Sequence, residues 1–103
     1  MEAAVRIVSH LDVTVVAVEG DLDVLSADPL RAQVADLIQA GHTHLVADLT
    51  RVSFIDSTGL GALVFGFQRS RDANIAFRLA RPSGGVRQIL VLSGLLEVVE
   101  LVP

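Results

Sequence analysis

The residues best suited to chemistry in this chain lie in one stretch, Phe54-Ile55-Asp56-Ser57-Thr58-Gly59-Leu60-Gly61. It follows an apolar, strand-like run and opens an amphipathic, helix-like one. A hydroxyl at such a junction sits among free backbone N–H groups, at the positive end of a helix dipole. That setting favours an anion, so a serine there becomes a charge switch once it is phosphorylated. The plainest role for Ser57 is a helix cap, worth about 1 kcal/mol, and Asp56 competes with it for that role. Thr58 is the competing hydroxyl. It lies one residue further into the helix, and its β-branch makes it stiffer.

A second acidic segment, Gly20-Asp21-Leu22-Asp23, ends an apolar strand. Asp21 and Asp23 are either turn residues that bond their own backbone or an edge that a partner touches. Other constellations are weaker. Gly59-x-Gly61 lacks the third glycine of a dinucleotide loop, which leaves nucleotide binding by the domain itself a minor alternative. His42-x-His44 has no third ligand nearby in sequence and reads as a surface loop. The carboxylates give no adjacent base–nucleophile set. The expectation is a non-enzyme with no metal site and no cofactor of its own.

Composition narrows the field further. A chain of 103 residues is enough for one domain, taken as residues 1–103, and too short for two. Half of it is apolar and 19% is charged, which favours a folded globule over disorder. With four Phe and no Tyr or Trp, the core must be built from Val, Leu, Ile and Ala. The absence of cysteine excludes disulfides, thiol catalysis and cysteine-based metal sites. A formal charge of -4 argues against a nucleic-acid partner. Arg69, Arg71, Arg78, Arg81 and Arg87 have no aromatics interleaved as in a binding stripe and read as solvated faces. No run approaches the roughly 18 apolar residues of a membrane span, and no signal-peptide core is visible. The expected location is the cytoplasm.

The elements that must position these residues follow from periodicity. Val5–Val8 and Val13–Val18 read as two strands joined through His10-Leu11-Asp12, the second so apolar that cover on both faces is expected. Asp28-Pro29 predicts a helix start, with Leu30, Val34, Leu37 and Ile38 on one face and Gly41 as the stop. Leu45–Leu49 is a third strand, and Val52–Ile55 leads into the motif. Leu60, Leu63, Val64 and Phe67 mark a second helix. Its Gly59, Gly61 and Gly66 each cost roughly 1 kcal/mol against Ala, a cost that close backbone approach would offset. Ile75, Phe77 and Leu79 predict a fourth strand. Ser83 predicts the cap of a third helix with Val86, Ile89 and Leu90 inward and Gly94 at its end. Glu97–Val102 fits a short strand or a helix tail. The order β-β-α-β-α-β-α implies an α/β fold with parallel strands joined by right-handed crossovers.

The motif from Val52 to Gly61 resembles the signature of the STAS domain, and more narrowly that of the bacterial anti-sigma factor antagonists. Glu19-Gly20-Asp21-Leu22-Asp23, Leu45–Leu49, Arg81-Pro82-Ser83, Val86–Leu90 and Ser93-Gly94-Leu95 extend the likeness over nearly the whole chain. The resemblance implies one STAS-like domain, with a mixed, mostly parallel sheet of four to five strands, an N-terminal hairpin and three or more helices. It implies a partner that is both anti-sigma factor and serine kinase, binding its own ATP and Mg. That kinase would phosphorylate Ser57, and a metal-dependent serine phosphatase would reverse the change. Asp21, Asp23, Asp56, Thr58, Gly59, Leu60 and Gly61 would form the docking surface. Gly59 and Gly61 would leave room for the kinase to approach. The alternative within the same fold is a STAS subunit of a lipid-transport or stressosome-like assembly.

Overall fold

Two periodicities build this fold, one of two residues in the strands and one of 3.6 in the helices. The structure is a computed structural model describing residues 4–103. In chain order it runs β1 (Ala4–His10), β2 (Val13–Leu22), α1 (Val24–Gln39), β3 (His44–Ile55), α2 (Ser57–Asp72), β4 (Ala76–Ala80), α3 (Gly84–Leu92), a 3-10 turn (Leu95–Glu97) and β5 (Glu100–Val102). Glu97–Val102 is therefore both things the sequence allows, the end of a helical turn and then a strand.

The sheet order is β1-β2-β3-β4-β5, with β1 antiparallel to β2 and every other pair parallel. Each parallel step moves one strand over in the same direction, so right-handed crossovers place all three helices on one face. The core agrees: Val16, Val18, Leu45, Ala47, Leu49 and Leu79 from the sheet share one buried cluster with Leu30 and Val34 of α1, Leu63 of α2 and Leu90 of α3.

The expectation that β2 is covered on both faces fails. Thr14, Val16, Val18, Gly20 and Leu22 are buried, but Val15, Ala17 and Glu19 are only half-buried and Val13 is exposed. The outer face of β2 is apolar because neighbouring strands shade it: Val15 stands between Val8 and Val46 in the register. Around that strip lie ion pairs, Arg6 to Glu19 at 3.0 Å, Arg78 to Glu100 at 2.6 Å and Arg81 to Asp48 at 3.0 Å. Arg69 lies over Phe65 and Arg71 over Phe67. Four of the five arginines read as plain solvated faces thus have a partner.

Two helix starts differ from expectation. α1 begins at Val24, four residues before Asp28-Pro29, because Asp23 caps it. Its carboxylate accepts from the Leu25 N–H at 3.0 Å, and the Ser26 hydroxyl accepts from the Asp23 N–H at 3.0 Å, a reciprocal box. Pro29 is tolerated inside the helix, where it removes one backbone donor. In α2 the cap is Asp56, whose Oδ1 accepts from the Gly59 N–H at 2.9 Å. Ser57 is the first residue of that helix. Ile89, expected inward, is 36% exposed, since only Val86 and Leu90 of α3 lie on the buried line.

The start of α2 is pressed against the end of β2. The Asp56 N–H donates to the Leu22 carbonyl at 3.3 Å. A Cβ on Gly59 would lie 2.0 Å from that same oxygen. The room made by Gly59 is used by the protein's own backbone and is not left open for a kinase.

Gly59→Ala is expected to cost at least ~2 kcal/mol, because backbone rather than a flexible side chain must give way. Thermal unfolding should show a melting point lower by roughly 10 °C; an unchanged melting point contradicts the packing described. Asp56→Ala should cost about 1 kcal/mol in urea unfolding, whereas Ser57→Ala should stay within about 0.5 kcal/mol. The reverse order would make Ser57 the cap.

Asp48 adds a pH dependence. Burial acts to raise its pKa, but hydrogen bonds from the Thr50 hydroxyl and amide, and the Arg81 guanidinium, outweigh burial and hold it below its ordinary value. A carboxylate lowered in the folded state stabilises above its unfolded pKa, and that contribution is lost as pH falls through the folded value. The stability gap between the native chain and Asp48→Asn should therefore be full at neutral pH and shrink below about pH 4. Urea titrations showing a constant gap down to pH 2 would refute this.

Candidate functional site

The carboxyl ends of β2 and β3 lie side by side, and both acidic segments sit there. Leu22 pairs with Ile55, and Asp21 stands opposite Phe54. Each strand runs directly into a helix whose first N–H groups are capped by an aspartate, Asp23 for α1 and Asp56 for α2. The fold thus brings two helix N-termini to one edge. Asp21 and Asp23 are half-buried, and Ser26 ties the turn between them. Its hydroxyl donates to the Asp21 carbonyl at 2.8 Å while accepting from the Asp23 N–H. The turn role expected for Asp23 is present as a cap. The acidic edge is held in place by the buried Ser26, which sequence reasoning did not single out although it stands three residues after the capping aspartate.

Ser57 is exposed and Thr58 half-buried. With Asp56 serving as cap, the Ser57 hydroxyl is left out of the capping bonds, and among the described residues no side-chain hydrogen bond engages it. Of the remaining residues expected to meet a partner, Asp56, Leu60 and Gly61 are half-buried. Gly59 is the one turned fully inward. Leu60 forms one wall of a groove of about 310 Å³ between α2 and the segment after α3, with Val64, Phe67, Leu95 and Val98.

Three large apolar side chains lie exposed near this edge: Val24 at 66% exposure and Leu25 at 76%, both unremarked in the sequence reading, and Phe54 at 51%, which was read as part of the motif but not as a partner contact. Val24 and Leu25 belong to the first turn of α1, beside Asp23, and Phe54 opens the motif two residues before Asp56. The signal was available in the sequence. Apolar residues directly after a capping aspartate lie off the buried line of Leu30, Val34 and Leu37. Exposed apolar side chains thus stand near the half-buried Asp21 and Asp23.

Two of the three histidines lie within hydrogen-bond distance of threonine hydroxyls. His42 Nδ1 lies 2.6 Å from the buried Thr14 hydroxyl, and His44 Nδ1 lies 3.0 Å from the Thr43 hydroxyl. Among the described residues, no three His, Asp or Glu side chains come together as a metal site, and no helix is long and apolar enough to cross a membrane.

Comparison with known proteins gives a consistent picture. The family model of the STAS domain matches residues 4–103. The anti-sigma-B factor antagonist of Bacillus subtilis is 30% identical over 86 residues, covering 84% of this chain and 78% of its own length. The crystal structure of an anti-sigma factor antagonist from Mycobacterium paratuberculosis superposes with a TM-score of 0.89 at 25% identity, over 99% of this chain and 86% of that one. The fold is also that of the Bacillus cell fate determinant SpoIIAA in its phosphorylated form, with a TM-score of 0.76 at 24% identity over 97% and 92% of the two chains. The chain belongs to the STAS domain family, and relatives such as those of Bacillus subtilis and Mycobacterium paratuberculosis are named anti-sigma factor antagonists.

Proposed function

We propose that this chain is an anti-sigma factor antagonist that docks, through the edge around Ser57, on an anti-sigma factor with serine kinase activity. Phosphorylation of Ser57 by that partner ends the complex, and a serine phosphatase restores it. The whole chain acts as one domain in the cytoplasm, and the enzymes in the cycle are its partners. The observation that carries this reading is the exposed Ser57 hydroxyl at the first position of α2, left unengaged because Asp56 takes the cap. The exposed Val24, Leu25 and Phe54 beside it support it. So do the relatives, which are named as antagonists. Nothing in the site favours a lipid-transport or scaffold role over this one.

The chemistry is one phosphoryl transfer. Ser57 Oγ forms a bond to the γ-phosphorus of ATP held with Mg by the partner, the bond from that phosphorus to the β,γ-bridging oxygen breaks, and ADP leaves. The hydroxyl proton goes to a base of the partner or to solvent. The first turn of α2 tolerates the product, because the new anion stands at the positive end of the helix dipole. Thr58 is the poorer acceptor, being half-buried. The effect on the partner is different. About -1.5 to -2 charges appear on a surface that already carries Asp21, Asp23 and Asp56 and that docking must desolvate. A penalty of roughly 1.5–4 kcal/mol would weaken the complex ten- to a thousandfold.

Incubation with the cognate kinase and Mg-ATP, followed by peptide mapping, should place the phosphate on Ser57, and phosphate confined to another residue would reject the assignment. Ser57→Ala should bind the kinase and resist modification. In calorimetric titration, Ser57→Asp should bind at least tenfold more weakly than Ser57→Ala. Equal affinities would rule out charge as the switch.

A further inference from the structure

One i, i+4 row of α2 runs Ser57, Gly61, Phe65, Arg69, so these positions lie one above another along the helix. Across that row lies a side chain from the other helix, Arg31 of α1. Its guanidinium is 5.9 Å from the centre of the Phe65 ring, and its Nη2 would be 3.3 Å from a Cβ on Gly61. A side chain larger than glycine at position 61 would crowd it. Among the described residues its one ion pair is with Asp28, at 3.1 Å, and that carboxylate is 87% exposed. Arg31 itself is two-thirds covered, its side chain 33% exposed.

We infer that Arg31 is a phosphate-positioning residue: when Ser57 carries phosphate, the guanidinium leaves Asp28, moves one helical turn up the row and pairs with the phosphoserine. The inference rests on Ser57 as the modified residue. Successive Cβ atoms on such a row are about 5–6 Å apart, a distance that an arginine covers by rotating its terminal torsions without backbone movement. Gly61 supplies the path, since no side chain stands between the guanidinium and Ser57 on the row. The exchange is favourable because a phosphate dianion offers a planar guanidinium two parallel charge-assisted bonds, whereas an exposed i, i+3 pair such as Arg31–Asp28 is weak. The charged and titratable groups on the elements around the start of α2 are Glu19 and Asp21 of β2, Asp23 before α1, Asp28, Arg31 and Asp36 of α1, His44, Asp48 and Arg51 of β3, and Asp56, Arg69, Arg71 and Asp72 of the α2 region itself. Of these cations Arg31 is the one placed beside Gly61, one step from Ser57 on the row; Arg69 lies two further steps down, Arg51 lies beside Glu19 at 3.9 Å and Arg71 over Phe67.

The exchange leaves the net charge of the surface unchanged and alters where that charge is held. The phosphate is held in one orientation at the rim of the docking face, and Asp28 is released as a free carboxylate on the same side of α1. A partner returning to this surface meets an ordered phosphoserine and an additional unpaired acid.

The test uses the full chain with phosphoserine installed at position 57 by genetic encoding, so that no kinase is needed. Phosphorus NMR follows the second ionisation of the phosphate, and proton–nitrogen spectra follow the Arg31 side chain. Pairing with Arg31 should hold the ionisation midpoint below its value in Arg31→Ala by about half a unit or more, and the Arg31 Nε–H signal should shift with the same midpoint. Arg31→Lys should fall between the two, and Arg69→Ala should match the native chain. A midpoint unchanged in Arg31→Ala, in a protein that melts normally, overturns the inference. So does an Arg31 signal that ignores the phosphate; this readout needs only the native sequence and stands even if Arg31→Ala folds poorly. If cells never place phosphate on Ser57, the proposed switch fails. The titration still reports whether Arg31 reaches the phosphate.

Discussion

The close approach between the first turn of α2 and the last carbonyl of β2 governs the geometry of the functional edge. Leu22 O accepts from the Asp56 amide and lies where any side chain on residue 59 would have to go. With glycine at that position, the helix start docks directly on the strand end. Three consequences follow from this contact. Asp56 is left to cap the helix, Ser57 is turned to solvent, and the acidic turn at Asp21 and Asp23 becomes the immediate neighbour of the serine. A bulkier residue at 59 would separate the two helix starts and dissolve the edge without touching the hydroxyl.

The rest of the molecule holds that edge rigid. Parallel β2 and β3 end at the same level, so their two helices start together, as expected for a ligand-facing rim at the carboxyl ends of such strands. The reciprocal box of Asp23 and Ser26 fixes the turn. The helix-covered face of the sheet carries the core, and the outer face is closed by valines and ion pairs rather than by a second helical layer. A switch based on charge suits this construction. In the proposed switch, phosphate on Ser57 acts on the docked partner and does not work through a rearrangement of the rim.

Much of this was legible in the sequence, for physical reasons that can be named. The strands and helices were visible because a single core imposes strict periodicity. Leu30, Val34 and Leu37 or Val86 and Leu90 have no other way to be buried together. At the motif, local chemistry showed a capped helix start with an exposed hydroxyl, and its reading as a switch came from the resemblance to the STAS signature. What was misread involved choices between equivalent local chemistries. Asp23 and Asp28-Pro29 are both good helix starts, and tertiary packing chose the first. Asp56 and Ser57 are both good caps, and the Leu22 contact chose the acid. The apolar run of β2 looked doubly covered because shading by Val8 and Val46 protects an outer face almost as a helix would. The exposed Val24 and Leu25 were overlooked, and Phe54 was not read as a partner contact, because hydrophobic residues are read by default as core. Arg31 was invisible, since nothing in one sequence tells which arginine of α1 crosses a glycine of α2.

The central claim is that phosphate on Ser57 acts on the partner and leaves the fold intact. The most direct measurement compares the unmodified chain with the chain carrying phosphoserine at position 57, by amide hydrogen exchange of the free protein and by titration with the anti-sigma partner on the same samples. The account predicts unchanged protection across the central strands β2, β3 and β4, together with affinity lower by a factor of ten or more. Weakened protection through the sheet in step with the loss of binding, or equal affinity of the two forms, would contradict it.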